Sequence, residues 1–350
     1  MTEPSQYLLP SLNSVDLVCP RCRGSLELQS SSYLCLNCGA TYHLQGGIPN
    51  MRVFPDPYLT DEEDKSRTGF IIEALDRYRL QPLLEYYWSV SDVTPVPLRE
   101  KFIRSVMLGE KKAERILRIL SDTTFREPVR AQRALEIGSG TGNFLAAANS
   151  RFKQTVGIDI AMRWLHVSRR RFMDRDIDTP PLVCCCAESL PFPDSYFDLI
   201  VCSATLEFTR DHDQVFREWA RVLTDDGAVY ISTVNRYSIT QDPYVYLWGV
   251  GFLPRTWQAG YVRWRRQASY ENIRLHSFNE IRSMARKHFS AVEFALPDIS
   301  DEALQYFPVS KRLQVYIYRL LKRIPGVRSI LLRIAPQWDI KLGSVKKPAA

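Results

Sequence analysis

The chain has 350 residues, 45% of them hydrophobic and 24% charged, with a formal net charge of +7. That composition excludes a disordered or fibrous protein and allows roughly two folded domains, and no apolar run approaches the roughly 20 residues that a bilayer-spanning helix needs. The charge is uneven: residues 309–350 hold ten Lys and Arg against one acid, leaving 36 basic and 38 acidic groups in the rest.

The first legible element is a metal module. Cys19-Pro-Arg-Cys22 and Cys35-Leu-Asn-Cys38 are two C-x-x-C knuckles separated by twelve residues, each closely followed by a glycine (Gly24, Gly39). Two such pairs supply four thiolates for a tetrahedral site at about 2.3 Å. The separation is slightly short of the usual ribbon spacing but accommodates one hairpin, residues 25–29 and 32–34. Two disulfides are the competing reading. The absence of a signal-peptide pattern, and four further cysteines in apolar surroundings, favour a reducing cytoplasm and so zinc. Cys19, Cys22, Cys35 and Cys38 are therefore expected to hold one structural zinc. A shell of four cysteines leaves no open position for catalysis and none for His43. The stretch that follows, Thr41-Tyr-His-Leu-Gln-Gly-Gly-Ile-Pro-Asn-Met51, resembles the end of the zinc-ribbon activator of tRNA, rRNA and translation-factor methyltransferases. The resemblance implies such a ribbon fused ahead of an enzyme.

Residues 61–122 read as helical, highly charged at first and then amphipathic, as in Gly109-Glu-Lys-Lys-Ala-Glu-Arg-Ile-Leu-Arg-Ile-Leu120. Ala134-Leu-Glu-Ile-Gly-Ser-Gly-Thr-Gly142 and Val156-Gly-Ile-Asp-Ile160 then spell a buried strand, a glycine-rich turn, a helix and a second strand ending in an acid. Glycines let backbone amides crowd a ligand at a helix start. An acid at the next strand's end is placed to grip ribose hydroxyls. A dinucleotide fingerprint wants G-x-G-x-x-G, and Asn143 stands where its third glycine would be.

Glu136, the three alternate glycines and Asp159 resemble motif I and its acidic partner in class I S-adenosylmethionine-dependent methyltransferases, of the type 11 kind. The resemblance continues for about 110 residues. It takes in Ala187-Glu-Ser-Leu-Pro-Phe-Pro-Asp-Ser-Tyr-Phe-Asp198, the strand Leu199–Ser203, the helix Val215–Leu223 with its turn Asp225-Asp-Gly227, and the strand Ala228–Asn235. It implies an α/β fold with a Rossmann-like seven-stranded sheet. The implied cofactor site draws on Glu136, Gly138, Ser139, Gly140, Gly142, Asp159, Ile160, Ala187, Glu188 and Ser203. In this scheme Glu136 orients the methionine end, Asp159 binds ribose, and the pocket around Glu188 holds adenine. Two positions depart from the family. Cys186 stands where an aspartate often bonds adenine, and Leu206-Glu-Phe-Thr209 replaces the Glu-His that follows strand four. Glu207 and His276 remain as the candidate bases. Tyr86-Tyr-Trp-Ser89 lies where such enzymes place a lid helix, with core packing the equal alternative.

An insertion at about 240–275 is rich in Trp and Arg and reads as an acceptor-binding lid or as plain packing. His276-Ser-Phe-Asn-Glu-Ile-Arg282 then opens the helix before the last strands. Cys184-Cys-Cys186 reads as buried small residues, since neighbours on a strand point to opposite faces. His166, His212 and His288 read as structural. The tail places Leu313, Ile317, Leu320, Leu321 and Ile324 at helical spacing with basic residues opposite, and repeats this after Pro325-Gly326. Docking on the body, a membrane surface, and RNA are its readings in that order.

The expected domains are 1–54 zinc ribbon, 55–130 helical linker or lid, 131–308 methyltransferase, and 309–350 basic amphipathic extension. The expected acceptor is a hydroxyl or other nucleophile on a small molecule, glycan or glycolipid. A ribosomal RNA methyltransferase with a zinc module for RNA, and a non-catalytic S-adenosylmethionine-binding scaffold, are the alternatives. A cytoplasmic location is expected, with peripheral contact at the inner membrane face through the extension; RNA ranks behind as a partner.

Overall fold

The computed structural model describes residues 9–89, 96–122, 125, 129–297 and 309–346. Two compact units divide the chain: Met1–Val201 with Asp211–Ala228, and Cys202–Arg210 with Val229–Ala350.

The first unit begins with a small sheet of four strands in chain order, β1 Leu26–Leu28, β2 Ser32–Cys35, β3 Thr41–Gln45 and β4 Ile48–Pro49. Leu26 sits opposite Cys35 and Tyr33 opposite Tyr42, so the hairpin carries its metal-ligand positions into register. The ribbon is tied to its own unit by hydrogen bonds and charge. The Val18 N–H donates to the Pro191 carbonyl at 3.1 Å. The Arg23 guanidinium reaches the Leu190 carbonyl at 2.9 Å and the Glu218 carboxylate at 2.7 Å. Glu218 is buried, and a buried carboxylate is tolerated only when paired. Arg221 at 2.9 Å and the Leu190 N–H at 2.9 Å complete its shell.

Helix α1, Asp61–Ala74, opens on a reciprocal capping box between Thr60 and Glu63, which satisfies two of its orphan donors. In α2, Leu80–Ser89, the side chains of Leu83, Leu84, Tyr87 and Trp88 are buried. Tyr87 meets Trp164 edge-on at 5.4 Å and Tyr86 stacks on Phe70 at 4.5 Å, so Tyr86–Trp88 pack within the unit. After α3, Val96–Met107, helix α4, Gly109–Ser121, buries Ala113, Ile116, Ile119 and Leu120. These lie three or four apart, which is one helix face.

Seven strands form the main sheet: β5 Arg133–Ile137, β6 Gln154–Asp159, β7 Leu182–Cys184, β8 Phe197–Ser203, β9 Leu223–Val234, β10 Phe289–Ala295 and β11 Gln337–Val345. Their order is β10-β11-β9-β8-β5-β6-β7. Strands β5, β6 and β7 pair parallel, while β10 and β11 pair antiparallel. This is the expected α/β architecture, a mixed, Rossmann-like sheet of seven strands with helices. The parallel strands are buried throughout, as parallel strands must be, with Ala134, Leu135 and Ile137 packed beside Val156 and Ile158. Helices α5 Asn143–Ala148, α6 Met162–Met173 and α7 His212–Val222 belong to this unit. Cys184, Cys185 and Cys186 are all buried. Burial pushes their thiols up, that of Cys186 to about 11, so they remain protonated small core residues. His166 is equally inert: burial lowers it to about 3.

In the second unit the insertion folds around its own cluster of Val245, Leu247, Val250, Val262 and Tyr270, with helix α8 at Arg255–Arg266. Helix α9, Phe278–His288, starts on a Ser277–Glu280 capping box and leads into β10. Two further helices, Val309–Leu321 and Pro325–Ile334, precede β11. Here the structure corrects the boundary drawn at residue 308. Gln337–Val345 is not part of an appended extension but a strand between β10 and β9. Trp338, Ile340 and Leu342 are buried, and the Tyr230 hydroxyl donates to Asp339 at 2.6 Å. The buried acid and Lys341 break the apolar signature that would have revealed a central strand.

Candidate active site and zinc centre

Four thiols converge in the ribbon, all within 4.8 Å of one another. Cys19 and Cys38 lie 3.7 Å apart and Cys22 and Cys35 3.5 Å apart. A disulfide needs about 2.05 Å, whereas four sulfurs at about 2.3 Å from a tetrahedral zinc stand roughly 3.8 Å from each other. The donor set thus fits zinc and not two disulfides. The Tyr42 hydroxyl contacts the Cys19 sulfur at 3.1 Å. Hydrogen bonds from the Asn37 side chain and the Gly24 amide hold Cys22 down at about 6, ready as thiolate. A Cβ on Gly24 would lie 2.5 Å from the Asn37 Cβ and 3.3 Å from both Cys22 and Cys35 sulfurs, which explains the glycine behind the first knuckle.

The glycine loop stands at the ends of β5 and β6. The Ser139 N–H donates to the Ile158 carbonyl at 2.8 Å and the Gly142 N–H to the Ser139 carbonyl at 2.9 Å. Asp159 closes the turn: its carboxylate accepts the Gly140 N–H at 2.8 Å through one oxygen and the Ala161 N–H at 2.8 Å through the other. Burial pushes this carboxyl up, and the two amides oppose it. An ionised carboxylate has about four lone-pair sites, so two amides leave room for ribose hydroxyls. Gly138, Ser139, Gly140, Gly142, Asp159 and Ile160 are thereby gathered into one turn. Glu136 lies beneath it, with one carboxylate oxygen buried and unpartnered. Burial drives its pKa well up, helped by the nearby Asp159 charge.

A shell of charges that the sequence did not announce supports this turn. Arg171 donates to the Thr141 carbonyl at 2.8 Å and pairs with Glu110 at 2.7 Å. Arg52 donates to the Ile160 carbonyl at 3.2 Å and pairs with Asp64 at 2.8 Å. Arg163 bridges Asp56 and Asp64 at 2.9 and 3.3 Å. The helix after the loop has only six residues, so its dipole counts for less than the loop amides. The Asn143 side chain fills the space a third glycine would leave, close enough that a Cβ on Gly109 would lie 2.4 Å from it. Gly142 has φ of 73°, and an added Cβ there would lie 2.1 Å from the Ser168 hydroxyl. Gly142→Ala is expected to destabilise by about 1–3 kcal/mol and to distort the loop. Thermal unfolding checks this: an unchanged melting temperature would contradict it.

Ala187 and Glu188 follow β7, whose end is held to the turn by the Cys185 N–H on the Asp159 carbonyl at 3.1 Å. Glu188 is buried and accepts the Asp211 N–H at 3.3 Å, just before α7.

The second unit contains Ser203, Glu207 and His276. Ser203 ends β8. Glu207 lies in a short 3-10 turn, fully buried, and accepts from the Thr233 hydroxyl at 3.1 Å and from the Tyr244 hydroxyl. Burial pushes its carboxyl up against the pull of these bonds. Tyr270 donates to Asp242 at 2.5 Å in a second phenol–carboxylate pair. His276 is buried, and its carbonyl accepts the Arg236 N–H at 2.9 Å. Tyr244 and Thr233 escaped the sequence reading because a partner 37 and 26 residues away, respectively, leaves no local pattern.

The family described as "Methyltransferase domain" matches residues 135–231. The ubiquinone/menaquinone biosynthesis C-methyltransferase UbiE of Serratia proteamaculans is 39% identical over 107 residues, 29% of this chain and 42% of that protein. The malonyl-[acyl-carrier protein] O-methyltransferase of Halorhodospira halophila is 31% identical over 140 residues, 38% of this chain and 44% of that protein. The chain spans less than half the length of the curated relatives it matches. A solved complex of the Haloferax volcanii Trm112 methyltransferase activator with a methyltransferase is similar at TM-score 0.43 and 16% identity, covering 72% of this chain and all of that one. A likeness that distant bears on neither acceptor nor partner.

Proposed function

We propose, on the premise that residues 135–231 are a methyltransferase domain, that the chain is an S-adenosylmethionine-dependent methyltransferase. Its acceptor in this reading is a hydroxyl or other nucleophile on a small molecule, glycan or glycolipid. The observation that carries the reading is the buried Glu136 carboxylate at the glycine loop, close to Asp159, with one oxygen unpartnered. A buried, uncompensated carboxylate is costly and is accounted for by a cationic ligand group. S-adenosylmethionine bound there would supply a methyl group on a sulfonium, open to in-line displacement by the acceptor. Glu136 would hold the methionine ammonium. Asp159 would hold ribose while keeping the loop closed through Gly140. Glu188 and Ala187 would flank adenine. Glu207, with its carboxyl raised by burial, and His276 are the two candidates to take a proton from an acceptor hydroxyl. The named relatives are a ubiquinone/menaquinone biosynthesis C-methyltransferase and a malonyl-[acyl-carrier protein] O-methyltransferase, which favours an organic acceptor over RNA.

Glu136 makes this testable through pH. The free carboxyl is raised well above its ordinary 4.5 by burial. A cation beside it favours the ionised form, so ligand binding lowers the pKa and expels a proton. Affinity should therefore rise with pH between the lowered pKa of the complex and the raised pKa of the free protein, and level off above the latter. Glu136→Gln should flatten the profile. Calorimetry in buffers of different ionisation heat measures the proton release; no release and no pH dependence would count against the assignment. Labelled S-adenosylmethionine incubated with fractionated small molecules, lipids and RNA would then identify the acceptor class, and label in RNA alone would overturn the acceptor reading.

A further inference from the structure

The second unit presents apolar side chains to solvent on three short helices and on the loop before the first of them. Trp248, Trp257 and Trp264 of the insertion are 62%, 66% and 75% exposed, and Leu313, Leu320 and Ile330 on the two late helices are exposed to a similar degree. Scattered single hydrophobes need no explanation, but groups of them do. The insertion meets the second late helix: the Trp248 indole N–H donates to the Ile239 carbonyl at 3.2 Å, and the Ile239 N–H donates to the Ile334 carbonyl at 3.2 Å, at the end of that helix. Ile239 is itself exposed.

Charge selects the occupant. Residues 243–270 and 309–338 contain no Asp or Glu, while Arg265, Arg323 and Arg328 stand among the apolar residues. The helices have 12, 13 and 10 residues, about 15–20 Å at 1.5 Å per residue. The hydrocarbon core is about 30 Å thick, and no helix among the described residues is long and apolar enough to cross a membrane. Short helices with exposed Trp, Leu and Ile beside cations suit the plane of a headgroup layer. RNA would stack on the tryptophans and pair with the arginines, but it offers nothing to Leu313, Leu320 or Ile330.

We propose that this face of the second unit binds an anionic bilayer surface. The insertion tryptophans and the late-helix aliphatics enter the headgroup boundary, and the arginines meet lipid phosphates. This does not depend on the methyltransferase reading, since it uses no residue of the glycine loop.

The test is co-sedimentation of the full-length protein with vesicles of phosphatidylcholine alone or with about a third phosphatidylglycerol. Binding is expected to the anionic vesicles at low salt, and to fall in about 0.5 M salt, where screening acts within roughly 4 Å. Trp257→Ala with Trp264→Ala should reduce partitioning about tenfold or more, and Leu320→Gln with Ile330→Gln should do so independently. All four sites are exposed, and unchanged melting and S-adenosylmethionine binding would show that folding persists. Truncation at residue 308 is unsuitable because it deletes a strand of the sheet. Failure of the full-length protein to bind anionic vesicles at low salt, or equal binding by both double variants, overturns the proposal. So does salt-sensitive RNA binding, or self-association lost in the variants, if vesicles are ignored.

Discussion

Asp159→Ala is expected to weaken S-adenosylmethionine binding about ten- to a hundredfold. Two losses combine. The carboxylate is the candidate acceptor for ribose hydroxyls, and charge-assisted bonds contribute roughly 1.5–3 kcal/mol. It is also the acceptor for the Gly140 N–H at 2.8 Å and the Ala161 N–H at 2.8 Å. Without it both amides must turn to water and the loop loses its brace. Asp159→Asn separates the two losses, because the amide oxygen still accepts one N–H while the charge is gone. Its affinity should fall between wild type and the alanine variant. Calorimetry with each protein decides: unchanged affinity in Asp159→Ala means the ribose acid lies elsewhere. Tighter binding of a nicotinamide cofactor than of S-adenosylmethionine would remove the cofactor assignment altogether.

Removing the metal should have the largest structural effect. One zinc per chain is expected by metal analysis, and Cys22→Ser or Cys35→Ser should lose it. Structural zinc binding is worth on the order of 10 kcal/mol in small ribbons. That exceeds the whole stability of many domains, so the first 50 or so residues should unfold. The consequence reaches past the ribbon. Arg23 follows the ligand Cys22 directly and pairs with Glu218 at 2.7 Å. Once the knuckle is lost, the buried Glu218 keeps only Arg221 and the Leu190 amide. The α/β core has its own apolar content and should remain folded at a lower melting temperature. Limited proteolysis should then cut within residues 1–54 and spare 131–297. Full zinc content or full resistance in Cys22→Ser would refute the four-thiolate site.

Local chemistry made much of this chain legible. Two knuckles, a glycine turn followed by an acid, and Ser277 with Glu280 at a helix start each state their structure within a few residues. The turn came out as one connected unit because Asp159 and Gly140 are bound to each other directly. What stayed hidden depends on distance along the chain. Arg23 and Glu218 are 195 residues apart, and Tyr244 meets a Glu207 that precedes it by 37. No window contains both members. The strand Gln337–Val345 was missed for a different reason. Its buried Asp339 is explained only by the Tyr230 hydroxyl 109 residues earlier, and without that partner an acid argues against a core strand. The two helices before it reinforced the error, since their exposed apolar faces gave the whole segment the look of an appendage.

The place of that strand has a consequence for how the protein is made. Strands β9 and β10 leave the ribosome first, yet they are not neighbours in the finished sheet, because β11 lies between them. Until residue 345 has emerged, β10 has no partner on that side and the Tyr230 hydroxyl has no acid to meet. Assembly of this sheet edge therefore waits for Gln337–Val345, whereas the ribbon and the glycine turn are complete in the first 201 residues. Nascent chains stalled shortly before Gln337 should protect the N-terminal half from protease and leave Val229–Ala295 open to it. The cell must meanwhile shield an unfilled slot between two hydrophobic strands, a period in which chaperone contact is most useful.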